Sequence, residues 1–392
     1  MLLFCFLLPL LGAVRITLLG ELSLAEPVII LYALFSFSKF VRFYQIPLVR
    51  RVIVLGFFWL VSLILSDLYR NTPSEDYLRG WIKIVILLLS YFSCLSLIGY
   101  DLRRAGALFA GNILMPLLKY ILYAPDYPFY KFAFGFVVSA GAFGLAMALK
   151  GERRTIFLIL PFAAGVIALM YDCRSLAGIT FCAVFYYFIL TNKLFITENI
   201  LRTRFIIILM LGLFSFGVIA TYSILASRGL LYNDGIGKYE SQLNEKGEFS
   251  ILTGRSELYF TLPKIIKSPI LGLGSWPKDL FYVAERAEVL GLNPQEVING
   301  TGGLIPAHSH LFGSWLEAGF MGAVFWLYVL YLVLCILMDF MLIKFIRWSG
   351  LLSLVLYILV WDILFSPFGG ERRFSNGLYL AIVTIIILLN KK

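Results

Sequence analysis

Histidine is almost missing from this chain. Its 392 residues include two, both in the tripeptide His308-Ser309-His310. Charge is scarce as well, at 14% of residues against about a quarter in an ordinary soluble domain, which excludes a soluble globular fold. Runs that alternate polar and apolar residues are absent, and with them the signature of a transmembrane β-barrel. The five cysteines, Cys5, Cys94, Cys173, Cys182 and Cys335, lie in or beside apolar runs, so they mark neither a disulfide framework nor a metal cluster. No phosphate loop, dinucleotide-binding fingerprint, G-x-S-x-G elbow or H-E-x-x-H motif occurs. None of the nine aspartates forms an Asp-x-Asp pair of the sort that holds a metal–nucleotide complex. A nucleotide-driven pump or a metal-dependent nucleotide-sugar enzyme is therefore not expected, and neither is a metal or other cofactor.

What is present is grease. Sixty per cent of the residues are hydrophobic, in runs of membrane-spanning length separated by short charged stretches. That pattern predicts an all-α polytopic membrane protein. Twelve spans are read, near 2–19, 23–38, 52–67, 81–99, 105–123, 132–149, 155–171, 175–191, 205–226, 310–340, 350–367 and 376–390. The start, "MLLFCFLLPLLGAV", lacks a basic leader region and a clear A-x-A site, so it reads as a first span rather than a cleaved signal.

The formal charge of +10 does not point to nucleic acid here, because in a membrane protein the placement of Lys and Arg outweighs their total. With the N-terminus in the cytoplasm, the inward loops and the C-terminus carry 16 basic residues, among them Lys39, Arg42, Arg50, Arg51, Arg103 and Arg104. The short outward loops carry 7: Arg15, Arg70, Arg79, Lys131, Arg174, Arg372 and Arg373. The chain then divides into spans at 1–226, one large outward loop at 227–309 and further spans at 310–392. Within the loop, "TGRSELYFTLPKIIKSPILGLGSW" predicts a short helix stopped by Pro269, with Leu258, Tyr259, Leu262, Ile265 and Ile266 at helical spacing. Such a stripe suits a membrane surface or the side of the bundle.

The chemistry-bearing residues gather on the outward side. Arg174 stands in the tight hairpin "MYDCRSLAG", Arg228 follows the ninth span, Arg255 begins the loop helix, and His308 precedes the tenth span. A helix start favours anions. Each cation also has a plainer reading, as a snorkelling anchor or a solvated loop charge. Ser309 and His310 read as local structure or as support for a site. Lys119 reads as an anchor, and Asp362 as an intramembrane acid whose partner the sequence does not name. Glu317 lies two and a half turns beyond His308, on the opposite face of the expected helix.

"AHSHLFGSWLEAGFMG" resembles the His…Glu-x-Gly-x-x-Gly stretch of the bacterial O-antigen ligase and polymerase superfamily (the Wzy/WaaL group), with His308, Glu317, Gly319 and Gly322 in the matching places. "GRSELYFTLPKIIKSPILGLGSW" is similar to the Gly-Arg…Pro-Leu-x-Gly-x-Gly segment that precedes that histidine, and Arg174-Ser175 to its outer-end arginine element. Ser309 stands where many members have Asn, and His310 leaves two histidines to choose from; spacing to Glu317 favours His308. The likeness covers about residues 170–330.

The resemblance implies a metal-independent, inverting glycosyltransferase of the GT-C type in the bacterial inner membrane, with both termini cytoplasmic and the site periplasmic. Its donor is a glycan on undecaprenyl pyrophosphate; its acceptor is lipid A–core in a ligase, or a lipid-linked repeat unit in a polymerase. Arg174, Arg255 and His308 would be catalytic, with Arg228, Ser309, His310 and Glu317 binding substrate. One dominant loop between the ninth and tenth spans resembles the ligases. The polymerase reading stays open, and so does a transporter of lipid-linked oligosaccharide, although the expected repeats and midplane breaks are not seen.

Overall fold

The structure, a computed structural model, describes residues 1–17, 21–123, 129–149, 156–191, 257–289, 292–339 and 348–389. Helices dominate. Among the described residues six are long and apolar enough to cross a membrane, or seven if one bent pair counts as a single span. Their outer faces expose Phe57, Phe58, Leu65 and Ile121, large apolar side chains that suit lipid better than water. The protein is therefore described as a multi-pass α-helical membrane protein.

The chain opens with α1 (Leu2–Leu10), a short 3-10 turn and a hairpin of β1 (Arg15–Thr17) and β2 (Glu21–Ser23). The expected span over 2–19 is corrected here. Pro9 lies at the end of the helix, and the β-branched pair Ile16 and Thr17 suits the extended chain that follows. Next come α2 (Ala25–Phe35) and α3 (Phe37–Tyr44), bent by 76°, where one span over 23–38 was expected. Then come α4 (Pro47–Arg70), α5 (Ser74–Ile98) and α6 (Leu102–Tyr123), each long and apolar enough to cross a membrane. α4 begins on a proline, whose missing N–H costs nothing in a first turn, and ends at Asn71 with φ 53°.

α7 (Gly135–Ala148) and α8 (Ile159–Met170) are shorter than the spans read at 132–149 and 155–171; α9 (Arg174–Thr191) is long enough to cross. The ninth expected span, 205–226, lies outside the described residues, so the count of twelve is not shown. Three short helices follow, α10 (Glu257–Lys267), α11 (Leu280–Val289) and α12 (Pro294–Thr301). They close over a small apolar cluster of Phe260, Ile265, Tyr282, Val283, Ile305 and Leu316. Of the expected stripe on α10, Ile265 is buried, whereas Tyr259, Leu262 and Ile266 are exposed; Phe260 and Thr261 of this helix also pack inward.

The expected span 310–340 is two helices, α13 (His310–Ala318) and α14 (Phe320–Met338), broken at Gly319. α15 (Ser349–Phe365) and α16 (Gly370–Leu389) complete the fold, α16 packing along α5. Trp59 of α4 is fully buried and stacks on Phe325 (centroids 5.0 Å), with Trp326 and Phe368 at 5.8 and 5.6 Å. This aromatic cluster floors one end of the bundle, where α4 and α15 end and α5, α9 and α16 begin.

Candidate functional site

The segment 268–279 is laid across the end of α13 and holds it. The last carbonyls of a helix lack partners within it, and here neighbours supply them. Leu273 N donates to Leu316 O (2.8 Å) and Gly274 N to Glu317 O (3.0 Å). Ser66 and Ser62 of α4 donate to the carbonyls of Glu317 (3.1 Å) and Ala318 (2.7 Å). Two backbones meet face to face at Gly272 (φ 80°) and Gly319 (φ 68°). A Cβ on Gly272 would overlap the Glu317 carbonyl, and one on Gly319 the Ile270 carbonyl. These glycines of the Pro-x-Leu-Gly-x-Gly and Glu-x-Gly stretches thus answer to one contact: positive φ and lack of a side chain are both required.

Charged residues lock the same junction. Asp67 of α4 accepts from Ser275 N (2.6 Å), Ser275 Oγ (2.8 Å) and Trp81 Nε1 (2.7 Å). Arg70 donates to Gly272 O (3.0 Å) and Ser268 Oγ (2.8 Å). Glu317 pairs with Lys83 of α5, both buried, and the Lys83 ammonium lies 5.0 Å over the ring of Trp276. Trp276 is held at φ 52°, a conformation a large side chain keeps only where its surroundings impose it. Two further ion pairs join neighbouring elements: Arg373 with Glu26 of α2, both buried, and Arg372, partly exposed, with the buried Asp362 of α15. The partner of Asp362 is thus an arginine from the next helix.

The two histidines part company here. Ser309, extended at φ −158° and ψ 133°, caps α13: its Oγ accepts from Phe312 N (3.1 Å) and donates to Ile363 O (2.9 Å). His310 is fully buried beside Trp326 and Phe368, at 4.8 and 5.2 Å. Its Nδ1 lies 2.6 Å from Ser366 O and its Nε2 2.6 Å from Asn376 Nδ2. A carbonyl only accepts and an amide nitrogen only donates, so the ring is neutral with its proton on Nδ1. Both nitrogens are used. His308 is exposed, and the strand-like approach to it is pinned by Ile305 N donating to Pro277 O (3.0 Å) and Thr261 Oγ to Pro306 O (2.6 Å).

Arg174 opens α9, half-buried, with Asp172 3.3 Å away. α7 runs parallel to α9, Thr180 donating to Ser139 (3.2 Å), and α15 begins near the far end of α7, where Gly350 adjoins Phe143 and Met147. α15 therefore returns antiparallel to α9, in register where Tyr186 meets Tyr357 (6.0 Å). From that level the rise is about 18 Å to Arg174 and about 12 Å to Phe365. Ser309 and His310 bond the backbone at Ile363 and Ser366, so Arg174 and His308 flank the same end of α15.

The structure brings Arg174, His308, Ser309, His310 and Glu317 to one end of the bundle, and buries the last three in contacts that hold α13 in place. Ser309, His310 and Glu317, expected to bind substrate, are the three whose polar atoms the fold engages. Arg228 and Arg255 lie outside the described residues. Sequence reasoning passed over Lys83, Asp67 and Glu26 and counted Arg373 only as an outward charge; the partners Glu317, Ser275 and Arg373 stand far away in the chain from Lys83, Asp67 and Glu26. Only the ten-residue interval between Asp362 and Arg372, across a short turn, offered a local signal. Among the described residues no three His, Cys, Asp or Glu side chains gather as metal ligands. No protein-family model matches the chain, and no curated protein is similar to it.

Proposed function

We propose that this chain is a membrane glycosyltransferase of the O-antigen ligase and polymerase kind, with His308 as the general base. The observation that carries the reading is the contrast within one tripeptide. His310 has both ring nitrogens committed inside the core, while His308 is exposed at the same end of the bundle as Arg174. The twelve-span GT-C topology, with this end facing the periplasm of a bacterial inner membrane, belongs to the same proposal.

The chemistry follows from charge. A hydroxyl of the acceptor attacks the anomeric carbon of a glycan carried on undecaprenyl pyrophosphate. The new C–O bond forms as the bond to the phosphate oxygen breaks, and the hydroxyl proton passes to the His308 imidazole. The departing pyrophosphate takes the electron pair, and the guanidinium groups of Arg174 and Arg255 stabilise it by paired hydrogen bonds, without a metal. Direct displacement inverts the anomeric centre. Arg228 is assigned to binding the same anionic donor in this reading. The single large loop favours lipid A–core as acceptor, hence a ligase.

The test is glycan transfer by purified protein in detergent, without added metal, from an undecaprenyl-pyrophosphate-linked repeat unit given alone and then with lipid A–core. A product formed only with lipid A–core, its glycan unchanged in length, is expected. A ladder from donor alone would make the protein a polymerase. Silence in both from folded protein would sink the transferase reading and bring forward transport of the lipid-linked glycan. Arg174→Lys is expected to lose at least tenfold in turnover, because an ammonium cannot reproduce the guanidinium fork; wild-type turnover would remove the bidentate contact.

A further inference from the structure

The opposite end of the bundle carries a surface of another kind. α3, "FSKFVRFY", turns 76° away from α2. At 100° per residue, Phe40, Tyr44, Phe37 and Val41 share one face, and Ser38, Arg42 and Lys39 the other. Part of the apolar face is uncovered: Phe37 is 64% and Val41 48% exposed, continuing Leu34 and Phe35 of α2, while Phe40 and Tyr44 are half-buried. Phe43 alone of the eight is buried, and Phe40 anchors the helix edge-on against Phe92 of α5 (5.0 Å).

Depth can be read from α5. Phe92 lies six residues before its end at Ile98, about 9 Å along the axis, and Tyr32 meets Ser96 (3.2 Å) just below. α3 thus sits close to the end of the full-length spans, at the depth where amphipathic helices lie, about 5–10 Å into the boundary between headgroups and acyl chains. Beside it the first turn of α4 presents Arg50 and Arg51, exposed like Lys39 and Arg42. The nearest acid in sequence at this end, Asp101, is engaged by Arg103 and Arg104.

We propose that α3 and the first turn of α4 form an interfacial surface that binds anionic phospholipid headgroups through Lys39, Arg42, Arg50 and Arg51, while Phe37 and Val41 enter the acyl region. Charge complementarity selects the partner: four exposed cations at headgroup depth beside an uncovered apolar strip. This surface stands independently of the glycan reading.

The experiment is native mass spectrometry of the full chain released from micelles holding phosphatidylglycerol and phosphatidylcholine in equal amounts with matched acyl chains. The wild type is expected to retain phosphatidylglycerol preferentially. Each charge removed should weaken that preference about fivefold, so K39Q/R42Q/R50Q/R51Q should retain both lipids alike. Equal retention by the wild type, or a preference untouched in the variant, would overturn the proposal. If the fourfold variant does not insert, K39Q/R42Q carries the comparison, with a fall of about 25-fold expected. Hydrogen exchange in nanodiscs reads the helix itself: residues 37–44 should exchange more slowly with phosphatidylglycerol present than in phosphatidylcholine alone, and equal rates would remove α3 from the surface.

Discussion

Successive residues of an extended chain point to opposite sides, but His308 and His310 are two apart and still diverge. The reason is that Ser309 is the cap: His308 precedes the helix and His310 begins it, so they belong to different backbone regimes. The residue-scale expectation is a dissociation of effects. His310→Ala removes two hydrogen bonds and a packed ring, leaving Asn376 and the Ser366 carbonyl without partners. It should cost about 3 kcal/mol, read as a fall in unfolding temperature in detergent. His308→Ala removes an exposed ring and should change stability by less than about 0.5 kcal/mol, while glycan transfer is lost with membrane insertion normal. Equal destabilisation by both would contradict the inside–outside division, and retained transfer in His308→Ala would remove it as the base.

At the scale of elements, α13 is held by what lies across its end. Lys83 and Glu317 tie it to α5 from inside the protein, where an unpaired charge is costly. Removing either partner alone, as Lys83→Met or Glu317→Leu, should destabilise by about 3–5 kcal/mol, and the double replacement should recover much of that loss. Losses that simply add in the double variant would show the pair is not coupled.

The loop helices respond to pH instead. The Lys264 ammonium, 2.5 Å from Asp279, holds that carboxyl below its ordinary range, with Tyr282 N adding a hydrogen bond. A carboxyl lowered by folding stabilises fully above its unfolded value, about 3.9, and the contribution fades as pH falls through the lower folded value. Hydrogen exchange across α10 and α11 should therefore quicken as pH drops below about 4, after correction for intrinsic rates. Asp279→Asn should flatten the change; an unaltered slope would place the sensitivity elsewhere.

For the whole molecule, the placement of basic residues expects Ser74, at the start of α5, and Arg103, at the start of α6, on opposite sides of the membrane. With the native cysteines replaced, an impermeant thiol reagent applied to intact cells should label Ser74→Cys and spare Arg103→Cys. The reverse pattern would invert the topology and put the proposed site in the cytoplasm.

Length, hydrophobicity and scarcity of charge determined the class by themselves, because burying backbone in lipid leaves helices as the economical solution for runs of this kind. The cores of α4, α5, α6, α9, α14 and α16 were legible for the same reason. Local chain signals also marked α10 and its stop near Pro269, and the family resemblance drew attention to the glycines that the junction at α13 requires. Hydropathy could not see the break at Gly319, the hairpin after α1 or the bend into α3. Gly319 turns inside a greasy stretch, so average polarity does not change where the backbone does. The hairpin and α3 carry Arg15, Glu21, Lys39 and Arg42, but an average over a whole span smooths such charges out. Nor could it separate two histidines of equal polarity, or foresee that Lys83 meets Glu317 and Arg373 meets Glu26. Those pairs are 234 and 347 residues apart. Only packing brings such charges together, because a buried charge takes whichever opposite partner the assembled helices place within reach.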